Sequence, residues 1–305
     1  MKSKKIIFFG SGQLGLDALT KLKSEFEVSL VITKNKPPKH KGAMPVYDYC
    51  VDNGLNFATP ASKSELDYHL ETFFDSHQDL ELGVVVDYGI IISENSIFKF
   101  KLGILNSHFS LLPSWRGADP ITFPLLAGQN QTGVTFMMID PGMDTGQIVE
   151  TYHLDILEED DQLSLTEKLS DLSCSKINSV VNNLFDHTLR PEPQPNKLIT
   201  YSRMLAKQES VLNLSKPASL LAREIQALKA WPKLKLNING IDCIIKNGYA
   251  TNVPDGSAEH GDIKFSNEVI RVFCGRKSCL NITELQPAGK RTMSSADFIR
   301  GYINK

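Results

Sequence analysis

At 305 residues, with 41% hydrophobic and 22% charged side chains, the chain has length for two ordinary domains and can build apolar cores without metal or disulfide staples. A formal charge of −2 argues by itself for no polyanionic partner, and five scattered cysteines (Cys50, Cys174, Cys243, Cys274, Cys279) exclude a disulfide framework and suit reduced thiols in a cytoplasmic protein. The only apolar run near the start, Ile6 to Phe9, is too short for a secretory or spanning segment, and no other stretch approaches bilayer length, so no membrane partner is expected.

The charge is unevenly spread. Residues 205–305 hold 15 Lys and Arg against 9 Asp and Glu, a net of +6, whereas residues 1–204 hold 18 against 26, a net of −8. A basic second half suits a polyanion, and equally a solvated charged surface. In chain order, Ile6-Ile7-Phe8-Phe9 predicts a strand, Gln13 to Phe26 a helix, Val28 to Thr33 a strand and Tyr47 to Asn53 a helix. Val84-Val85-Val86, Ile104-Leu105 and Val134 to Ile139 continue the strand series. Alternation at these spacings implies an α/β fold with a doubly wound, mainly parallel sheet. Leu163 to Phe185 then carries Leu165, Leu169, Leu172, Ile177, Val180, Val181 and Leu184 near helical spacing, one long helix that closes the domain.

Between Arg190 and Asn196 the prolines Pro191, Pro193 and Pro195 alternate with other residues, which forbids a helix and makes an extended, stiff connector. The expected domains are therefore 1–188 and 207–305, joined by 189–206. In the second, Pro217 to Leu228 is helical. Leu234–Ile238, Cys243–Lys246, Ile263–Phe265, Val269–Cys274 and Leu280–Leu285 follow as short strands, with turns at Asn239-Gly240 and Asp255-Gly256, a pattern that suits a small OB-like barrel.

Gly10-Ser11-Gly12-Gln13-Leu14-Gly15 spells the G-x-G-x-x-G of dinucleotide sites, after a strand and into a helix. The acidic residue that should hold a ribose near the end of the second strand is missing, since that stretch reads Ile32-Thr33-Lys34-Asn35-Lys36. The turn then serves packing or another anion, with a nicotinamide site as the weaker alternative. Asn106-Ser107-His108 is a sharper motif. Alternate residues of an extended segment project to one side, so an amide donor and a titratable imidazole share a cleft, just past the carboxyl end of a strand at Ile104-Leu105. The loop Asp140-Pro141-Gly142-Met143-Asp144-Thr145-Gly146 follows the strand Val134–Ile139 and can reach the same edge. Asp144 is the carboxylate best placed to orient an imidazole, and Asp140 competes with it. Taken singly, a structural Asn-x-His and a turn-forming Asp explain these residues as well. The candidates lack a metal-ligand set, and no metal is expected.

Together, Asn106-x-His108, Ser110-Leu111-Leu112-Pro113, Arg116-Gly117 and Met143-Asp144-Thr145-Gly146 resemble the signature of the folate-dependent formyltransferases. Trp231-Pro232 and the run Leu285 to Arg291, with Met293, Ser294, Asp297 and Phe298, are similar to the carboxyl-terminal domain of those members that act on initiator methionyl-tRNA. The likeness covers the chain nearly end to end. It implies a Rossmann-like formyltransferase domain followed by an OB-like tRNA-binding domain, in a cytoplasmic monomer that uses 10-formyltetrahydrofolate to formylate the methionine α-amine for translation initiation. It also implies Asn106, His108 and Asp144 as catalytic residues: Asn106 donating to an oxyanion, His108 sharing that role as imidazolium or relaying the amine's proton, Asp144 holding the imidazole's tautomer and raising its pKa. The folate's pterin ring is implied in an apolar slot bounded by Val86, Asp87, Tyr88, Gly89, Ile90 and Ile91 and by the loop of Asp144, with Asp140, Gly142, Ser110, Leu111, Leu112 and Pro113 also on the donor side. Lys34, Lys36, Lys39, His40 and Lys41, in the loop after the second strand, occupy the place of a tRNA-contacting loop, and Arg116 joins them as a tRNA contact; lysines between prolines can neutralise phosphates. Other members of the family formylate sugar nucleotides, which shares the amino-terminal chemistry and changes the acceptor. The chain departs from the family pattern at Asp87, where Ala is usual, and at Asp119, Gln226 and the run Ala230 to Lys233.

Overall fold

A computed structural model of the protein describes residues 4–37, 41–77, 79–253, 259–266 and 268–304. Contacts gather the chain into two compact units, Met1–Pro120, Thr132–Asp155 and Glu167–Tyr201 in the first, Ile121–Gln131, Ile156–Thr166 and Ser202–Lys305 in the second. Sequence alone assigns 121–131 and 156–166 to the first domain. They join the second because Asp161 pairs with Lys229 at 2.6 Å, Gln226 donates to the Glu158 carbonyl at 3.2 Å, and the short helix α5 (Thr122–Ala127) packs against α7 (Ala218–Ala227). Among the described residues no helix is long and apolar enough to cross a membrane.

The first unit is a seven-stranded sheet in the order β3-β2-β1-β4-β5-β7-β8. β1 (Lys5–Phe9), β2 (Glu27–Ile32), β3 (Phe57–Ala58), β4 (Leu82–Val85) and β5 (Ile104–His108) run parallel, each crossing over through chain that includes α1 (Gln13–Leu22), α2 (Pro45–Asp52), α3 (Lys63–Ser76) or the single turn α4 (Glu94–Ile97). Strands covered on both faces read as unbroken apolar runs, and Ile6, Ile7, Phe8 and Phe9 are all fully buried. β7 (Gln131–Met138) pairs antiparallel with β5, and β8 (Ile148–Asp155) lies at the edge. Two-residue strands β6 (Arg116–Gly117) and β9 (Tyr201–Ser202) stand outside this sheet. The chain winds outward from β1 to β3 and returns to β4 on the other side of β1, so the carboxyl ends of β1 and β4 form the switch point at which open α/β sheets leave a crevice.

Helix α6 (Gln162–Phe185) lays Leu165, Leu169, Ile177, Val180, Val181 and Leu184 inward and braces the sheet, its Ser173 hydroxyl meeting that of Ser107 on β5 at 2.8 Å. α3 and β8 escape the strand-and-helix pattern read from sequence. α3 had a usable signal in Ser62-Lys63-Ser64-Glu65, since the Ser62 hydroxyl accepts the Glu65 N–H at 3.2 Å and the Glu65 carboxylate accepts the Ala61 N–H at 2.8 Å. The proline-rich connector is tied along the first unit, Ile148 and Glu192 exchanging backbone hydrogen bonds of 2.8 Å each way.

In the second unit β10 (Lys235–Ile238), β11 (Ile241–Asn252), β12 (Ile263–Phe265), β13 (Ile270–Cys274) and β14 (Ser278–Pro287) form an antiparallel sheet, with β15 (Met293–Ser294) beside the end of β14. β11 is far longer than the four residues its sequence suggests, because register shifts around Asn247 let it bend and keep pairing with β14. The result is a curled, OB-like sheet. α7 lies against β11 and β14, and Leu221, Ile225, Ile245, Leu280, Ile282 and Phe298 meet in its core. Phe298, on the turn α8 (Ser295–Phe298), is fully buried and stacks on Tyr302 at 4.9 Å. Phe298→Ala is expected to remove about 3–5 kcal/mol of stability from this unit, read as a shifted urea transition; a loss below about 1 kcal/mol would mean that the core does not depend on this ring.

Candidate active site

The site grows from the last residues of β5. Asn106 faces Met137 on β7 and Val85 on β4, and His108 faces Thr135. With Ser107 spent on α6, the side chains of Asn106 and His108 project from the other face of the sheet. Both lie within the strand, whereas sequence alone puts them just beyond it. Asn106 is half-buried and its amide has no hydrogen-bond partner among the described residues. His108 is buried, and its Nε2 lies 3.1 Å from the Trp115 carbonyl, which can only accept, so Nε2 carries the proton and Nδ1 the lone pair. Asp144 Oδ1 lies 3.8 Å from Nδ1, beyond a direct hydrogen bond and within reach of its charge.

One expectation about this pair is corrected, and the other, that Asp144 raises the imidazole's pKa, holds as a direction that burial outweighs. The tautomer is set by the Trp115 carbonyl and not by Asp144. Burial pushes the imidazole's pKa below its ordinary 6.5, and the opposing pull of Asp144 and of the Trp115 carbonyl does not restore it, so His108 is neutral at neutral pH.

Asp144 arrives by an indirect route. Because β7 runs antiparallel to β5, the loop after it departs beside Ile104, whose carbonyl accepts the Ile139 N–H at 2.8 Å, and must fold back to reach His108. Within the loop Asp140 accepts from the Gly142 N–H at 3.1 Å and from the Thr145 hydroxyl at 2.7 Å, so its carboxylate serves the turn. Asp144 takes a left-handed conformation, φ 51°, and its Oδ2 accepts the Gly117 N–H at 2.7 Å. Gln194 was not singled out from sequence. Its amide donates to the carbonyls of Asp144 and Gly146 at 2.8 Å each, while its Oε1 accepts from Arg116 Nε and Nη2 at 3.1 and 2.6 Å. The available signal was a lone amide between Pro193 and Pro195, flanked by residues without backbone donors.

Several other expected residues have structural employment. Ser110, Leu112 and Pro113 are buried. The Ser110 hydroxyl donates to the Ser114 carbonyl at 2.6 Å, and Thr135 Oγ1 donates to the Ser110 carbonyl at 2.7 Å while accepting the Leu112 N–H at 3.1 Å. This turn, with Leu111 half-buried, ties β5 to β7. Arg116 is buried on Gln194, which removes it from any free basic face. Lys36 pairs with Asp48 at 2.8 Å, and Lys34 lies against Gly89 and faces Asp87, so the basic loop is partly engaged within its own unit. Lys41 is exposed, and Lys39 and His40 lie outside the described residues.

The expected donor-side segment lies at the switch point. Val86 is buried, Tyr88 stacks obliquely on Phe9 at 5.8 Å, Ile90 packs on the core beneath, and Ile91 is 73% exposed. The Tyr88 hydroxyl is buried without a partner among the described residues, and burial pushes its pKa up. The Asp87 carboxyl is turned onto Gly12, with Oδ2 close to where a Cβ on that residue would stand. Burial raises its pKa, against the opposite pull of Lys34 and of the Gly12 N–H. A pyrophosphate approaching this glycine turn would meet the protein's own carboxylate, which removes the physical basis of the nicotinamide alternative.

The formyl transferase family profile matches residues 4–181, and the profile of the formyl transferase C-terminal domain matches residues 204–303. The chain belongs to the formyl transferase family. Among solved structures, this formyl transferase is similar to an N-formyltransferase from Helicobacter canadensis in complex with folinic acid and dTDP-3-aminofucose, at 20% identity and a TM-score of 0.69 over 92% of this chain and 98% of that one. The sugar 3N-formyl transferase WlaRD, in the presence of dTDP and 5-N-formyl-THF, is 18% identical with a TM-score of 0.70, over 95% and 100%. Phosphoribosylglycinamide formyltransferase from Bacillus halodurans is 25% identical with a TM-score of 0.53, over 61% of this chain and 97% of that one.

The His108 geometry is directly testable by NMR titration. The imidazole is expected to titrate below 6.5. Asp144→Asn removes the one attraction from a full charge and should move it lower still; a wild-type value above 6.5 would show that the carboxylate outweighs burial. The linked effect on stability has a fixed sign. As pH falls through 6.5 the unfolded chain takes up a proton that folded His108 refuses, so this residue's contribution to stability is lost toward acid.

Proposed function

We propose that the protein transfers the formyl group of 10-formyltetrahydrofolate to the α-amine of methionine on initiator methionyl-tRNA. The unpaired Asn106 amide beside a neutral His108, in a chain of the formyl transferase family, carries the chemical half of this reading. The amine nitrogen adds to the formyl carbon and the carbonyl electron pair moves to oxygen. Collapse of the tetrahedral intermediate breaks the bond to the folate nitrogen, which leaves with that pair and gains a proton, while the amine loses one. Asn106 donates its amide N–H to the oxyanion. The Nδ1 lone pair of His108 receives the amine's proton, and Asp144, 3.8 Å away, stabilises the imidazolium that results. Ile91 and Met143, 73% and 64% exposed, leave one apolar side chain in the open on each segment taken to border the pterin, which supports an apolar slot there.

The tRNA half rests on the second unit. Its residues 204–303 match the formyl transferase C-terminal domain, its residues 205–305 carry the basic excess of the sequence, and it exposes Lys207, Lys233, Lys235, Lys290 and Arg291. Phosphate neutralisation by such residues weakens as salt rises. A sugar-nucleotide amine is the second reading, favoured by the two sugar enzymes whose chains align over 98% and 100% of their lengths, carboxyl-terminal halves included. Formyl transfer from 10-formyltetrahydrofolate is to be measured with initiator methionyl-tRNA, elongator methionyl-tRNA and an amino-sugar nucleotide as acceptors. Transfer to the initiator species alone is expected, and transfer to the sugar nucleotide alone overturns the tRNA assignment. With the true acceptor, Asn106→Ala should lower kcat by about 10²–10³ while the fold persists; a loss of under about threefold removes Asn106 from the oxyanion role.

A further inference from the structure

We propose that Asp87 is a positioning residue of the donor slot, its carboxylate locking the turn that ends β4 to the head of α1; the inference rests on the folate reading above. The turn does not hold itself. Asp87 sits at φ 55°, a left-handed conformation that is disfavoured for a residue with a Cβ. Backbone bonds fasten it to β1 and the glycine turn: Val86 N–H donates to the Phe9 carbonyl at 2.9 Å, and Ser11 N–H to the Asp87 carbonyl at 3.0 Å. The side chain adds the third contact, its Oδ2 seated directly against Gly12 where the helix end favours negative charge, with Lys34 facing it.

Gly12 shows how closely the carboxylate is seated. Its φ is −88°, open to any residue, yet a Cβ there would fall well inside contact distance of Asp87 Oδ2. The glycine motif is shaped around an internal carboxyl group. The residues beyond this corner, Tyr88 to Ile91, take their direction from it. Tyr88 and Ile90 pack on the core, and Ile91 projects outward. Loosening the corner moves that projection and weakens donor binding, while Asn106 and His108, held on β5, keep their groups in place.

A double-mutant cycle tests this. Gly12→Ala and Asp87→Ala are each expected to raise the KM for 10-formyltetrahydrofolate on the order of tenfold with kcat within about twofold of wild type, and Gly12→Ala should add nothing once Asp87 is Ala, because the collision is gone. Asp87→Asn, which keeps the shape and a polar oxygen against Gly12, should recover part of the loss. In the ligand-free protein, Asp87→Ala should speed hydrogen exchange at the Ser11 and Val86 amides. Additive effects in the cycle, or unchanged exchange at those amides, overturn the lock. If exchange and thermal stability follow the cycle but wild type neither binds nor uses the folate, the lock stands and the donor assignment falls.

Discussion

One side chain, the amide of Gln194, holds the candidate site in a single piece. The antiparallel course of β7 sends the Asp144 loop away from the end of β5 where His108 lies, and a loop that must fold back needs an anchor. Gln194 supplies it by donating to two loop carbonyls and accepting from the guanidinium of Arg116, next in the chain to Gly117, whose N–H holds the Asp144 carboxylate. Prolines on either side keep the anchor's backbone extended and without competing donors. Segments far apart in sequence, around residues 116, 144 and 194, are thereby made into one wall.

Burial decides the electrostatics of that wall. A carboxylate near an imidazole ordinarily raises its pKa, and here that attraction acts across 3.8 Å on a ring that has lost its water. Desolvation wins, so the ring is neutral, with one nitrogen committed to a backbone carbonyl and the other facing Asp144. The same principle acts at the switch point, where a carboxylate folded against a helix end replaces the external anion that a glycine-rich turn ordinarily suggests.

Much of the site was legible in the primary structure because its chemistry is local. Asn106 and His108 are two residues apart on a strand, and their shared face follows from the pleat alone. Asp144 was legible as a loop carboxylate near the same sheet. The engagement of Arg116, Lys34 and Lys36 was not: a charged residue in a loop reads as available until its partner, distant in sequence or on another element, is known. The hydrogen bonds by which Thr135 on β7 holds the Ser110 to Pro113 turn were likewise invisible, because the partners are more than twenty residues apart.

The amino-acid sequence by itself determined the alternation of strands and helices, the proline-rich connector, the short-stranded second half and the residues able to do chemistry, because hydrophobic period, proline geometry and side-chain type are properties of short windows. Only the tertiary structure decided that β7 is antiparallel, that segments 121–131 and 156–166 join the second unit, that Trp115 fixes the histidine's tautomer, and that Asp87 fills the glycine turn. Each of these depends on which groups meet across long separations and on how much water is excluded when they do, and neither quantity exists until the chain is packed.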